Sequence, residues 1–195
     1  MSRPPLPYLL PILIALPLLG LLLAPTEDPT PRLTAEADAL AARYAGSLQT
    51  ALKQAMEAGG PVAAIGACQQ QAGPIADRLG ADSGWRIKRT ALRLRNPSSA
   101  PDAFETAALE EFSRRIAQGE PATALTRGEI VTAADGTASF RFVKAIAMGE
   151  PCATCHGVTL KPEVGAALAE LYPRDRATGF QPGDLRGIIS LSRPL

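Results

Sequence analysis

The sequence predicts an α+β domain, and three observations carry that reading. Apolar residues after position 33 recur at three- and four-residue steps, as on one face of a helix. From Gly84 onward the spacing changes to two, as in strands. An Asp135-Gly136 dipeptide separates two later apolar runs, and both residues tolerate the positive φ that a tight hairpin turn requires. Two N-terminal helices packed on a mostly antiparallel sheet with helical insertions are therefore expected. Of the 195 residues 46% are hydrophobic, enough for one core of ordinary size, so a single domain is placed at 33–195. A formal net charge of +1 gives no electrostatic case for a nucleic-acid partner. Modest charge with well-spread apolar residues also excludes a disordered chain.

Residues 1–24 open with Arg3 among prolines and then run from Leu6 to Ala24 without a charge. Such a stretch is a signal anchor or a signal peptide. Its length favours an anchor, and Leu22-Leu23-Ala24 is a poor cleavage site because Leu22 is not small. Arg3 before it and Glu27 and Asp28 after it fit a cytoplasmic start and an exported body. The expected location is periplasmic, either anchored to the cytoplasmic membrane or released after cleavage. Residues 25–32, with several prolines, read as a stiff linker.

A helix is expected from Thr34, with Leu40, Tyr44, Leu48, Leu52, Ala55 and Met56 on its apolar face, until Gly59-Gly60-Pro61 stops it. A second helix carries Ile65, Cys68, Ala72, Ile75 and Leu79 at helical spacing, which puts Cys68 on the buried face. Gly73-Pro74 should break or kink it. Trp85 to Lys88 alternates as a strand, and Leu92 and Leu94 continue at spacing two on the other parity, as after a bulge. Asp102 is a candidate cap for a helix carrying Phe104, Ala108, Leu109, Phe112 and Ile116. Strands at Ile130-Val131 and Ser139 to Met148, a helix from Pro162 to Leu171, a Pro/Gly/Asp-rich loop to Gly183 and a strand from Gly187 to Ser192 complete the chain.

One motif carries chemistry. Cys152-Ala153-Thr154-Cys155-His156 is the C-x-x-C-H pattern of covalent haem attachment: two thiols three residues apart can add to the two vinyl groups while the following imidazole reaches the iron. The chain has one histidine and three cysteines, so every scarce residue but Cys68 falls in the motif. Three rival readings are a thioredoxin-like pair, for which the βαβ context is missing; a zinc site of Cys68, Cys152, Cys155 and His156; and a structural disulfide between Cys152 and Cys155. With no second histidine, the candidates for the other axial position are Cys68, Met56, Met148, Tyr44 and Tyr172. Met148 is close to the motif in sequence and so poorly placed for the opposite face, and Met56 follows the core pattern of its helix. Cys68 stands out as the odd cysteine of an exported chain, although a free buried cysteine is also an ordinary small core residue.

A longer series of residues resembles a known family. Ala64 to Cys68, Trp85 to Thr90, Leu94-Arg95-Asn96-Pro97 with Ala100-Pro101-Asp102, Phe104-Glu105, Phe142 to Ala147, Cys152 to Gly157, Tyr172 to Phe180 and Gly183 to Gly187 together are similar to the PAS-like c-type haem domains of bacteria. That family was long described as of unknown function, and its members occur alone or as the extracytoplasmic sensor part of signalling proteins. Ala91 departs from the family, which often has serine there. The resemblance implies a PAS-like fold, one haem c, and an axial pair of His156 and the thiolate of Cys68.

Arg86, Lys88, Arg89, Arg93 and Arg95 form the densest basic stretch, and haem propionates need cationic or donor partners if they are not fully wet. Arg95, which lies within the resembling series, and Arg89 are the candidates. The expected function is an extracytoplasmic redox or small-ligand sensor, with nitric oxide or carbon monoxide as possible ligands; the alternative is a periplasmic electron-transfer cytochrome with a redox partner protein. No carboxylate pair or nucleophile triad appears, so no enzyme is expected.

Overall fold

The structure is a computed structural model and describes residues 28–195. The membrane segment expected at 1–24 and the first part of the linker lie outside the described residues. Among those described, no helix is long and apolar enough to cross a membrane.

The first element, α1 (Thr30–Ser83), is two helical limbs joined at Gly59 and Gly60, which alone have non-helical dihedrals. Gly60 has φ 68° and ψ −164°, a region essentially restricted to glycine. The chain reverses there. The Tyr44 hydroxyl donates to the Ala72 carbonyl at 3.3 Å and the Trp85 indole to Glu36 at 2.9 Å, so the limbs run antiparallel as a helical hairpin. Helix starts at Thr30, earlier than expected, because Pro31 suits the first turn of a helix, where its missing N–H has no partner to lose. The three last residues assigned to the linker are therefore helical. Met56 lies near the exposed tip of the hairpin rather than on a packed face.

Gly73-Pro74 does not break the second limb. Dihedrals stay helical through Pro74; the carbonyl of Gln70, which proline cannot satisfy, lies on an exposed turn where water can reach it.

Four strands follow: β1 (Arg86–Thr90), β2 (Thr126–Thr132), β3 (Ala138–Ala147) and β4 (Leu185–Pro194), all antiparallel in the order β1-β4-β3-β2. Gly136, at φ 84°, makes the expected hairpin turn between β2 and β3. Leu92 and Leu94 do not extend β1 past a bulge. The strand stops at Thr90, opposite Ile188, because the next position on β4 is Gly187, whose φ is 159° and whose Cα approaches the Thr90 carbonyl too closely to carry a side chain. The chain then leaves the sheet and exposes Leu92.

Both faces of the sheet are covered. The helical hairpin buries Leu33, Leu40, Tyr44, Ile75 and Leu79 against Trp85, Phe140, Phe142, Ile189 and Leu191. On the other face α2 (Ala103–Ala117) packs Leu109 and Phe112 against Leu125, Val143 and Ile188. Asp102 and Glu105 form a reciprocal capping box at its start. Glu105, 1% exposed, also meets Lys88 at 2.8 Å and Arg141 at 3.5 Å, which ties α2 to β1 and β3. The short α3 (Ala153–His156) and α4 (Pro162–Leu171) fill the crossover between β3 and β4. The α+β class is as expected.

Candidate functional site

Cys152 caps α3 and Cys155 lies one turn later, so both side chains lie on one side of a short helix. All three cysteines are free and half-buried. Cys155 packs with Ile65, Val164, Leu168 and Tyr172, whereas Cys152 packs with Met148, Ala177 and Phe180. The two thiols therefore stand between two apolar walls. Ile65 sits one helical turn before Cys68 on the second limb of α1, and that limb also touches α3 and α4. Cys68 thus comes to the motif from the opposite element. Burial pushes the Cys155 thiol up, Arg95 pulls it down, and Cys68 and Cys152 push it up further, which places the three sulfurs in one neighbourhood. Among the described residues no three His, Cys, Asp or Glu side chains are grouped to hold a metal ion directly, the grouping a zinc reading needs.

A loop after α4 fixes the motif's backbone. Phe180 N–H donates to the His156 carbonyl at 3.0 Å, and Gly179 N–H to that of Gly157 at 2.8 Å. Arg95 donates to the Cys155 carbonyl through Nη2 and to Asp175 Oδ2 through Nε at 3.1 Å, with side chains only 13% and 10% exposed. Asp175 in turn accepts from Ala177 N–H at 2.7 Å. Arg176 N–H donates to the Leu94 carbonyl at 2.8 Å, which is where the chain goes after leaving β1. Arg95 thereby joins three pieces of chain that the sequence separates widely.

His156 is oriented by this same loop. Its Nδ1 is 2.6 Å from the Ala177 carbonyl and 3.2 Å from Arg186 Nε. A carbonyl can only accept, so the shorter contact requires the proton on Nδ1, and that proton excludes acceptance from Arg186. Nε2 is left as the lone-pair nitrogen. Metal-bound histidines are typically held this way, through a backbone carbonyl on the other ring nitrogen. Burial, then the charges of Arg186 and Arg95, push the imidazolium pKa down to about 3, so the ring is neutral and able to donate its lone pair at neutral pH.

The remaining expected candidates are placed as follows. Arg89 faces the hairpin, close to the Tyr44 hydroxyl, and its charge reaches His156, Tyr172 and Arg186. Tyr44, 1% exposed, lies in the core. Tyr172 is half-buried beside Cys155. Met148, 2% exposed, packs beside Cys152 on the motif's own side. Two functional features were missed in the sequence: the Ala177 carbonyl, because a backbone acceptor leaves no trace in residue type, and Arg186, which lies between the expected loop and the strand expected from Gly187 and stands in the resembling series without a role.

Taken together, the donor set fits a c-type haem: two accessible thiols at the right spacing, a neutral imidazole with Nε2 available, apolar walls, and several cations to meet two carboxylates. Residues 28–194 match the sequence model of the Tll0287-like family. The chain belongs to the Tll0287-like family. A solved structure described as the cyanobacterial heme-protein Tll0287 is similar to it at TM-score 0.60 and 25% identity, over 82% of this chain and 95% of that one. No curated protein matches the chain.

Proposed function

We propose that this chain is a c-type haem protein in which Cys152 and Cys155 form the thioethers, His156 is one axial ligand and Cys68 the other, and that it works outside the cytoplasm as a redox or small-ligand sensor. The observation that carries the haem reading is the fixed imidazole: its Nδ1 proton is committed to the Ala177 carbonyl directly after two thiols at attachment spacing. The relative of known structure, described as a heme-protein, supports it, and the PAS-like fold follows from the resemblance. Bound there, the haem supplies one-electron chemistry and a coordination position at which ligands can exchange.

The two axial side chains differ in how they are held. His156 is braced by the Ala177 carbonyl, and its own carbonyl by Phe180 N–H. Cys68 sits half-buried on a limb of the hairpin, and a thiol's hold on a metal depends on its being deprotonated. Cys68 is therefore the side chain that exchanges, and its position is the one open to nitric oxide or carbon monoxide. This asymmetry favours a sensor over a carrier, which gains nothing from a releasable ligand. The electron-transfer reading keeps its place as the alternative, since a redox partner protein could meet the same site. The N-terminal segment would tether the domain to the membrane. Protein matured with haem-attachment machinery tests the proposal: the expected product has the mass of the polypeptide plus one haem, and its coordination spectrum changes on reduction. A colourless product at polypeptide mass refutes it; haem whose six-coordinate spectrum persists through rapid reduction supports the carrier.

A further inference from the structure

Six of the fifteen arginines among the described residues stand against a carboxylate, Arg32 with Glu36 at the surface. Arg95 meets Asp175, Arg115 meets Glu111 and Glu120, Arg127 meets Glu111 and Glu129, Arg141 meets Asp102 and Arg193 meets Glu36. Arg186 is not among them, and what sets it apart from the other unpaired arginines is its place against the motif's histidine. It is half-buried beside His156, and among the described residues it makes no ion pair. Its Nε is 3.2 Å from an imidazole nitrogen that already carries a proton for the Ala177 carbonyl, so that N–H has no acceptor there. Its Nη1 reaches only the Arg93 carbonyl, at 3.5 Å. The guanidinium lies 5.5 Å from the Phe180 ring centroid, and Arg93 lies 4.2 Å from the same ring.

Its neighbours make the imbalance worse. Arg89, Arg93 and Arg95 all act on it, and Asp175, a carboxylate that would offset them, is already paired with Arg95. A charge held in such a place without a counter-ion is costly, and a guanidinium fork matches a carboxylate in two-point geometry. The missing partner is an anion, and it belongs next to the motif's histidine.

We infer that Arg186 receives a haem carboxylate, and that Arg95, committed to Asp175 and the Cys155 carbonyl, instead positions the attachment motif. The inference rests on the haem reading of the site. Arg186 is then both anchor and electrostatic setting: a fixed positive charge beside the axial imidazole favours the reduced state and offsets the thiolate's preference for the oxidised one. Arg89, on the hairpin side of the sheet, is placed to assist from the other direction.

The test compares wild type with Arg186→Gln and Arg186→Lys, each matured with haem-attachment machinery. Mass and ferric visible spectra report attachment and ligation. Resonance Raman spectra report the propionate bending band, and a potential titration reports the charge. Both variants are expected to keep haem and axial ligation and to shift the bending band; only Arg186→Gln is expected to lower the midpoint potential. If Arg186→Gln does not accumulate, the band in Arg186→Lys decides, because an ammonium cannot reproduce the two-point contact. An unshifted band in a haem-bearing variant, or an unchanged potential in Arg186→Gln, overturns this inference alone. A wild-type chain that carries no haem overturns the reading beneath it.

Discussion

Two side chains separate ligation from positioning at the residue scale. Cys68→Ser removes a thiolate donor without touching the thiols of attachment, so haem should stay on the polypeptide while the ferric visible and electron paramagnetic resonance spectra lose their thiolate character. Identical spectra in the variant mean that Cys68 is a core residue. Arg95→Ala should act on stability instead. It leaves Asp175, only 10% exposed, as a buried charge without its partner, a change that costs about 3–5 kcal/mol; urea unfolding of the haem-bearing protein measures it, and a loss under about 1 kcal/mol would mean that water screens the pair as it does at a surface. Cys152, Cys155 and His156 were legible because rare residues at a fixed spacing leave few alternatives. Asp175 was not, because an acidic residue in a Pro/Gly-rich loop looks like any solvated loop charge until its partner eighty positions away is brought beside it.

At the scale of elements, legibility followed how local the determining physics is. The Asp135-Gly136 turn and the Asp102 cap depend on residues within one turn of each other, and both formed as read. The end of β1 depends on Gly187, far along the chain, and the alternation of Leu92 and Leu94 gave no sign of it. No break formed at Gly73-Pro74 for a related reason: proline removes a hydrogen bond wherever it sits, but whether that breaks a helix depends on tertiary packing and on water at the freed carbonyl. The helical hairpin offers a paired test. Gly60→Ala forces a side chain into a glycine-only conformation and should destabilise by about 1–3 kcal/mol. Gly46→Ala adds a methyl group that meets nothing within 4 Å in the interior of the first limb, and should stabilise by about 0.4–1 kcal/mol. Denaturant melts of the two variants should therefore move in opposite directions. Movement in the same direction would show that the limbs are not joined as described.

For the whole molecule, the fold explains why a haem site needs so much of the chain. The motif lies in the crossover between β3 and β4, its backbone is held by the loop at 175–180, that loop is held by the segment leaving β1, and the opposite sulfur comes from the hairpin. Without haem this arrangement still encloses a neutral imidazole, and a stability dependence follows. His156 has a folded pKa near 3 against an ordinary value of about 6.5. Between those values the unfolded chain binds the proton and the folded chain does not, so stability rises with pH and is lost as pH falls from about 6.5 toward 3. Haem-free protein, made without attachment machinery, should melt at a lower temperature at pH 5 than at pH 7. Because many groups contribute to acid sensitivity, the difference is read against His156→Asn, which has no proton to take up there and should show a smaller drop over the same interval. Equal drops in the two proteins would place the imidazole in water, and with it the bond to Ala177 that aims Nε2 at the metal.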